Sequence, residues 1–310
     1  MPKPKILVLY YSQTGQLRDI LNNVLKNISQ DAELTFAAIE PEKPYLIPWK
    51  VNGFFDLMPE CAFQEPIPLK PLDRNILAQD FDLVIFGWQP WFLHPSLPIS
   101  SFLQSDDAEV LKNMNVVTIV GSRNMWLNAA EKIKEHFQRI GANQIGNIVF
   151  EDSNTNLVSL LTIIRWSFKG KKEASGMLPE AGVQKAAILA ASRFGKPILE
   201  AAKNKDLAKN LHQELMKLNA VNLNSGLILL EQRGIKNFRF WAGYIKRKGP
   251  SGSPERLSRV IQFKRLLIVG VFILSPISSF TAFIQKNLQR KKLEKDVEYF
   301  KGIDYEADRI

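Results

Sequence analysis

The 310-residue chain has few of the side chains used for disulfides and metal sites: it contains one cysteine, Cys61, and three histidines. A single cysteine excludes an internal disulfide and a Cys-x-x-Cys metal site, and it fits a reducing compartment. The sequence shows no low-complexity tract and no repeat of roughly 20–50 residues. Residues 1–5 run directly into a strand-like segment, so no secretory signal peptide is expected. With 45% hydrophobic and 23% charged residues, the composition is that of a folded protein.

The net charge of +10 is concentrated towards the C-terminus. Residues 233–292 contain fourteen Lys or Arg and one acid, Glu255, whereas the rest of the chain is close to neutral. Such asymmetry predicts an anionic partner, either lipid or nucleic acid. Nucleic acid is the less favoured of the two, because the basic stretch has no recognisable DNA- or RNA-binding motif.

Short apolar segments alternate with helical ones in the first half of the chain. The predicted strands are 6–10, 33–39, 82–87, 116–121 and 144–150, and the predicted helices between them include 14–28 and 126–140. This alternation predicts an α/β fold with a doubly wound, five-stranded parallel sheet and helices on both faces. Ligands of such sheets bind at the carboxyl ends of the strands.

The chain divides into two predicted parts. Residues 1–220 are expected to form the α/β domain, with further helices at 156–168, 180–203 and 207–218, and residues 221–310 to form a basic, partly apolar extension. The domain carries an insertion at 41–78 that is rich in proline and aromatics. Because proline removes backbone donors, no regular helix is expected there. The insertion is either a lid over the site or a structural arm along a sheet edge.

A polar loop, Ser12-Gln13-Thr14-Gly15-Gln16, follows the first predicted strand and opens a helix. A helix N-terminus with small or hydroxyl side chains can bind a phosphate through backbone N–H groups. The loop is neither a P-loop nor a three-glycine dinucleotide fingerprint. The same residues also suit an ordinary helix cap, but their place after the first strand favours phosphate binding.

Aromatic loops follow the third and fourth predicted strands. Their rings can sandwich a flat heterocycle, and Arg123 can place positive charge beside it; the alternatives are core-capping aromatics and a surface arginine. One phosphate-type loop and two aromatic loops at adjacent strand ends together predict an FMN site, with no metal. The predicted cofactor-binding residues are Ser12, Gln13, Thr14, Gly15, Gln16, Trp88, Gln89, Pro90, Trp91, Phe92, Ser122, Arg123, Asn124 and Trp126.

The segments 9–17, 54–60, 84–92 and 121–126 carry a resemblance to known proteins. The sequence resembles the flavodoxin fold superfamily and, more closely, the DarA-type proteins of dialkylresorcinol, flexirubin and aryl-polyene biosynthesis, over most of the chain. Such proteins are often labelled condensing enzymes. The resemblance implies a ketosynthase-type partner that joins two β-oxoacyl chains into a 2,5-dialkylcyclohexane-1,3-dione. It also implies a role in aromatising that lipophilic cyclic diketone to a dialkylresorcinol.

The residues favour oxidation over condensation. Claisen condensation normally needs an activated cysteine with histidine partners, whereas Cys61 is expected to pack as a small apolar side chain. Aromatisation removes two electrons and two protons, which suits a flavin and one side-chain base. The prediction is an FMN-dependent oxidative aromatase. An electron-transfer flavoprotein or quinone reductase, and a non-catalytic membrane-associated partner of the ketosynthase, remain as alternatives.

The base is predicted to be His94, which follows Trp91 by three residues in the loop expected to border the flavin. A loop histidine bonded to backbone is the alternative interpretation. Glu60 and Asp56, in the aromatic insertion, are the next candidates if that segment closes over the ring.

A mostly apolar run at 266–284 is bracketed by basic residues. It is barely long enough to span a bilayer, and Pro276 interrupts it. A monotopic or re-entrant segment on anionic lipid, at the inner face of the cytoplasmic membrane, explains these features better than a span. A buried C-terminal helix, for example at a homodimer interface, is the alternative.

Overall fold

The computed structural model describes residues 2–223, 225–270 and 289–310. Its strands are β1 Lys5–Tyr10, β2 Glu33–Ala38, β3 Leu83–Trp88, β4 Pro90–Trp91, β5 His94–Pro95, β6 Asn115–Ser122 and β7 Asn143–Glu151. Five of them form a parallel sheet in the order β2-β1-β3-β6-β7, and β4 and β5 form a separate antiparallel hairpin. This is the strand order of flavodoxin-like doubly wound sheets. The predicted fold class is confirmed.

Helices pack around this sheet and make up much of the remaining described chain. They are α1 Gln16–Leu25, α2 Val51–Asp56, α3 Met58–Phe63, α4 Arg74–Leu77, α5 Leu97–Phe102, α6 Leu127–Ile140, α7 Asn156–Lys169, α8 Lys185–Leu189, α9 Gly195–Lys203, α10 Lys205–Ala208, α11 Leu211–Lys217, α12 Ser225–Lys246, α13 Pro254–Val269 and α14 Arg290–Lys301.

Helix α1 lies close to the carboxyl ends of the central strands. A Cβ atom on Gly87 would approach Leu21 Cδ1 to 2.9 Å, and one on Gly121 would approach Leu17 Cδ1 to 3.4 Å. Gly87 therefore allows the helix to approach β3 closely, whereas the distance at Gly121 is an ordinary van der Waals contact with β6. This contact places the loop before α1 beside the loops that follow both strands.

Two expectations about helices are corrected. The insertion contains α2 and α3, and Pro59 lies in the first turn of α3, where its missing N–H costs no helical hydrogen bond. The helix predicted at 180–203 begins only at Lys185, and a 3₁₀ segment, Ala190–Phe194, interrupts it.

The C-terminal extension packs on the rest of the chain. Helices α12 and α13 bury apolar side chains against the insertion helices, in a cluster formed by Phe55, Met58, Ala62, Ala242, Ile245, Val260 and Phe263. Helix α14 returns to α6, where the Tyr299 hydroxyl donates to Glu131 over 2.6 Å. The domain boundary at residue 220 remains a prediction, and the parts of the chain on either side of it are in extensive contact.

No helix within the described ranges is long and apolar enough to cross a bilayer. Of the apolar run at 266–284, only residues 266–270 fall in those ranges.

Candidate functional site

A cleft of about 270 Å³ lies at the carboxyl edge of the sheet. The loops after β1, β3, β6 and β7 form its floor, while the insertion and α7 form its walls. The lining residues are Gln13, Thr14, Gln16, Leu17, Ile20, Ile47, Trp49, Phe54, Gln89, Pro90, Trp91, Phe92, Gly121, Ser122, Arg123, Asp152, Ile163, Trp166, Ser167 and Gly182. Parts of all three predicted loops therefore meet at one site.

The phosphate-type loop opens α1, and its N-cap residue is Gly15, which has no side chain to cap the helix. Gly15 has φ of +83°, a left-handed conformation that strains residues with a Cβ atom. The Ser12 and Thr14 hydroxyls each accept a backbone N–H over 3.3 Å, from Arg18 and Gln16, and keep their own protons for donation. Ser12 and Gly15 shape this loop, while Gln13 and Thr14 line the cleft.

Gln16 has a different role from the predicted phosphate contact. Its side-chain amide donates to the Val183 carbonyl over 3.1 Å and accepts the Val183 N–H over 3.0 Å. Both functional ends of the amide are thereby engaged by the segment before α8. Gln16 lines the cleft, and its two hydrogen bonds hold that segment next to the cleft.

The loop after β3 is only partly at the cleft. Gln89, Pro90, Trp91 and Phe92 line it. Trp88, the last residue of β3, has its indole buried in the core and does not contribute. The prediction is therefore corrected for Trp88, because alternate strand side chains point to opposite faces and its side chain packs inward.

The structure does not bring His94 to the cleft. A tight turn at Phe92 and Leu93, with φ of 48° and 66°, reverses the chain, and Asn128 of α6 holds the Leu93 carbonyl over 2.7 Å. His94 is thereby carried to a separate polar cavity beside α6, with Nδ1 2.8 Å from the Phe92 carbonyl oxygen. Burial lowers the pKa of His94 to about 4. The assignment of His94 as the base beside the cofactor is corrected.

Asp56 and Glu60 are engaged in a buried ion pair with Arg256 of α13. Arg256 Nε lies 2.6 Å from Asp56 Oδ1, and Arg256 Nη1 lies 2.7 Å from Glu60 Oε1. The Arg256 side chain is 0% exposed. These carboxylates join the insertion to the extension and are not brought to the cleft, so their candidacy as bases is also corrected.

Ser122 at the end of β6 and Arg123 in the loop after it line the cleft, but Asn124 and Trp126 do not. Trp126 is buried, and its Nε1 donates to Glu151 over 2.7 Å. Asn124 Nδ2 donates to Asn156 over 2.9 Å. Arg123 donates to the Asn156 side-chain oxygen over 2.8 Å, and burial lowers its pKa to about 10, so it remains cationic at neutral pH.

Asp152 and Trp166 line the cleft without having been predicted. Asp152 Oδ1 accepts the Asn154 N–H and the Gln184 side-chain amide, each over 2.9 Å. Asp152 directly follows β7, so the rule that ligands bind at strand ends could have found it. Trp166 has no such signal, because the position of α7 depends on tertiary contacts such as the Trp49 N–H to Ser167 carbonyl bond of 2.8 Å.

Three residues that line this cleft each carry a buried polar atom with no hydrogen-bond partner among the described residues: Gln13 Nε2, Ser122 Oγ and Asp152 Oδ2. An unsatisfied buried polar group costs about 1–3 kcal/mol, so this set favours a ligand with a complementary polar edge. Trp91 and Trp49 line the same cleft, with ring centroids 5.7 Å apart. The residues fit a flat heterocycle that has a polar edge and an anionic tail, as FMN has.

Solved structures with some similarity to this chain include flavoproteins. A flavodoxin, WrbA-like protein from Agrobacterium tumefaciens is 12% identical, covering 65% of this chain and 98% of its own, with a TM-score of 0.38. A putative flavoprotein from Bacteroides uniformis is 17% identical, covering 53% and 98% of the two chains, with a TM-score of 0.36. For a flavone reductase the identity is 14%, the coverage 66% and 65%, and the TM-score 0.37. No protein-family model and no curated protein matches the sequence. Similarity at this level supports no inference about cofactor or reaction, and the fold class rests on the strand order.

Proposed function

We propose that this protein is an FMN-dependent oxidoreductase that aromatises a 2,5-dialkylcyclohexane-1,3-dione to a dialkylresorcinol, acting with a ketosynthase-type enzyme. The observation that carries the proposal is the set of unpartnered buried atoms of Gln13, Ser122 and Asp152 in a tryptophan-walled cleft. The phosphate-type loop at the same strand edge supplies the site for the anionic tail.

Different residues of the cleft would bind different parts of FMN. The Thr14 hydroxyl and the start of α1 would hold the phosphate, and Gln13 and Ser122 would donate to the polar edge of the ring. Trp91 supplies an aromatic wall, and the Arg123 cation would stabilise negative charge that develops on the ring. When bound, FMN supplies a two-electron acceptor for the hydride that aromatisation removes.

Asp152 is the proposed base. Of the described residues that line the cleft, it is the one carboxylate. Donors hold its Oδ1, while its buried Oδ2 has no hydrogen-bond partner in the part of the chain that the structure describes. A carboxylate positioned in this way can take the ring proton that leaves as the dione loses a hydride, and loss of both converts the dione to the resorcinol.

The alternative chemistries fit the described residues less well. Burial raises the pKa of the Cys61 thiol, and the side chain is fully buried, so it cannot serve as a condensing nucleophile. Trp49 and Phe54 of the insertion and Trp166 of α7 wall the cleft, whereas simple electron transfer favours an exposed ring edge. Walls of this kind suit a large lipophilic ring substrate.

Anaerobic single turnover tests the proposal. One equivalent of a synthetic dialkylcyclohexanedione should bleach one equivalent of bound FMN and yield one equivalent of dialkylresorcinol, measured by absorbance and mass spectrometry. Asp152→Asn should retain FMN but slow bleaching by about a hundredfold. The exposed Asp31→Asn is the matched control and should be unaffected.

Three results would contradict the proposal in distinguishable ways. Protein that purifies without flavin and takes up none on titration would favour a non-catalytic ketosynthase partner. Flavin that a nicotinamide reduces and a quinone reoxidises, with no reaction of the dione, would favour a quinone reductase. Unimpaired bleaching in Asp152→Asn would remove Asp152 from its role.

A further inference from the structure

The antiparallel helices α12 and α13 share an outer surface that carries aromatic, aliphatic and basic side chains. Phe238 and Trp241 both contact Phe263, at 5.7 and 6.0 Å between ring centroids, while Tyr244 contacts Gln262 further towards the connecting loop. Later residues of α12 contact earlier residues of α13, so the two helices run antiparallel.

The Tyr244–Gln262 contact fixes which residues lie on that outer surface. One helical turn from Tyr244 lies Phe240, and one turn from Gln262 lies Leu266 on the same side, since residues four apart share a helix face. The surface, termed here the two-helix face, comprises Lys236, Phe240 and Tyr244 of α12, Arg247 directly after its end, and Arg259, Gln262, Arg265, Leu266 and Val269 of α13.

Apolar side chains on the two-helix face are unusually exposed. Phe240 is 65% exposed, Leu266 49% and Val269 44%. Phe240 follows Lys236 by four residues and so shares a helical stripe with it, while Arg247 directly follows the last residue of the same helix. Exposed aromatics between basic residues on a surface helix are typical of helices that lie at a membrane interface.

The positive charge of the two-helix face indicates the kind of partner that it binds. It carries four cations, Lys236, Arg247, Arg259 and Arg265, while Glu255 lies at the loop end of the same stripe. The guanidinium of the half-buried Arg259 stacks on the Tyr244 ring at 3.9 Å and donates to the Tyr244 backbone carbonyl. In sequence, the exposed residues of α13 continue directly into the apolar run that ends at Ile284.

We propose that the two-helix face docks this protein on anionic membrane lipid. Phe240 and Leu266 would enter the headgroup boundary, and the four cations would contact lipid phosphates or carboxylates. The same helices adjoin the cleft wall, because Phe238 of α12 lies 6.1 Å from Phe92, which lines the cleft. Docking here would bring the cleft close to a source of lipophilic molecules, but membrane binding itself does not depend on the flavin reaction.

Flotation of the full chain with vesicles tests the proposal without substrate. The chain should float with vesicles of phosphatidylcholine and phosphatidylglycerol, and at least about tenfold less with phosphatidylcholine alone. Phe240→Ser, and the pair Lys236→Glu with Arg247→Glu, should each lower the bound fraction by about tenfold. The matched controls are Leu189→Ser, exposed on α8, and the pair Lys3→Glu with Lys26→Glu at the amino edge of the sheet; neither should change binding.

Loss in the face variants but not in the controls would support the proposal, provided that circular dichroism shows unchanged folding. Equal loss in the charge-matched control would mean that net charge alone acts, and it would overturn the assignment of this face. Vesicle binding that none of the variants alters would do the same. Tight binding of an RNA or DNA duplex, abolished by Lys236→Glu with Arg247→Glu while vesicles fail to bind, would identify nucleic acid as the partner instead.

Discussion

Arg256 shows how a single residue decides the role of others. In sequence, Asp56 and Glu60 stand in an aromatic insertion and have the chemistry of general bases. In the structure, a guanidinium from a helix some 200 positions later binds both carboxylates. Nothing local in the sequence indicates this partner, because the pair forms only when α13 docks on α2 and α3.

Replacing Arg256 with methionine should destabilise the protein by about 3–5 kcal/mol, because it leaves two largely buried carboxylates without their cation. Urea unfolding followed by circular dichroism measures this loss. Arg290 supplies the control, since it also pairs with a carboxylate, Glu294, but its side chain is 80% exposed. Arg290→Met should change the free energy of unfolding by no more than about 0.5 kcal/mol. Similar losses in the two variants would refute a specific role for the buried pair.

At the scale of elements, the cleft depends on a segment that the strand pattern does not reveal. Gly182 precedes α8 with φ of +82°, and it lies against Gln16 of α1 and Trp166 of α7. These contacts join two helices and a loop at one side of the cleft. The prediction of helix α1 was local and is confirmed, whereas this closure involves residues more than 140 positions apart.

Gly182→Ala should distort the cleft as well as destabilise the fold. A Cβ atom there would lie 2.5 Å from Gln16 Oε1 and 2.9 Å from the Trp166 ring, in a backbone conformation that is already unfavourable for alanine. Gly176 is the matched control, with φ of +58° and no atom of the described residues within 4 Å of its Cβ position.

Both alanine variants should lose about 1–2 kcal/mol from the left-handed conformation. Gly182→Ala should lose more than Gly176→Ala, and it alone should weaken FMN binding. Thermal unfolding and fluorescence titration with FMN measure the two effects. Equal stability and equal FMN affinity in the two variants would show that the closure of the cleft does not rest on Gly182.

At the scale of the whole molecule, the extension is tied to the α/β domain through a buried carboxyl. Glu231 of α12 is fully buried, and its Oε1 accepts the Asn128 N–H at the start of α6 over 2.9 Å. Burial raises the pKa of Glu231 to about 8, opposed by backbone hydrogen bonds and reinforced by Glu151. The folded protein therefore holds the Glu231 proton more tightly than the unfolded chain does.

This linkage predicts the pH dependence of stability. The contribution from Glu231 is complete below the ordinary glutamate pKa of about 4.5 and is lost as pH rises through about 8. A single titrating group changes the free energy of unfolding by at most about 1.4 kcal/mol per pH unit in that window. Because glutamine does not titrate, Glu231→Gln should reduce the fall in the free energy of unfolding between these two pH values by a few kcal/mol.

Urea unfolding at a series of pH values tests this linkage, with the exposed Glu42→Gln as control. The control should follow the wild-type curve. A Glu231→Gln curve that runs parallel to the wild-type curve throughout would exclude Glu231 as the titrating group.

The sequence by itself determined the fold class and the edge of the sheet at which the candidate cleft lies. Continuous apolar strands alternating with amphipathic helices specify a parallel sheet, and Ser12–Gln16 and Gln89–Phe92 follow strands whose carboxyl ends must meet at one edge. Those patterns are local, so they can be read without knowing the packing. Only the tertiary structure decided that His94 turns towards α6, that Asp56 and Glu60 pair with Arg256, and that Asp152 and Trp166 complete the cleft. The direction of a side chain and the identity of its partner depend on contacts between distant segments, and no periodicity along the chain records them.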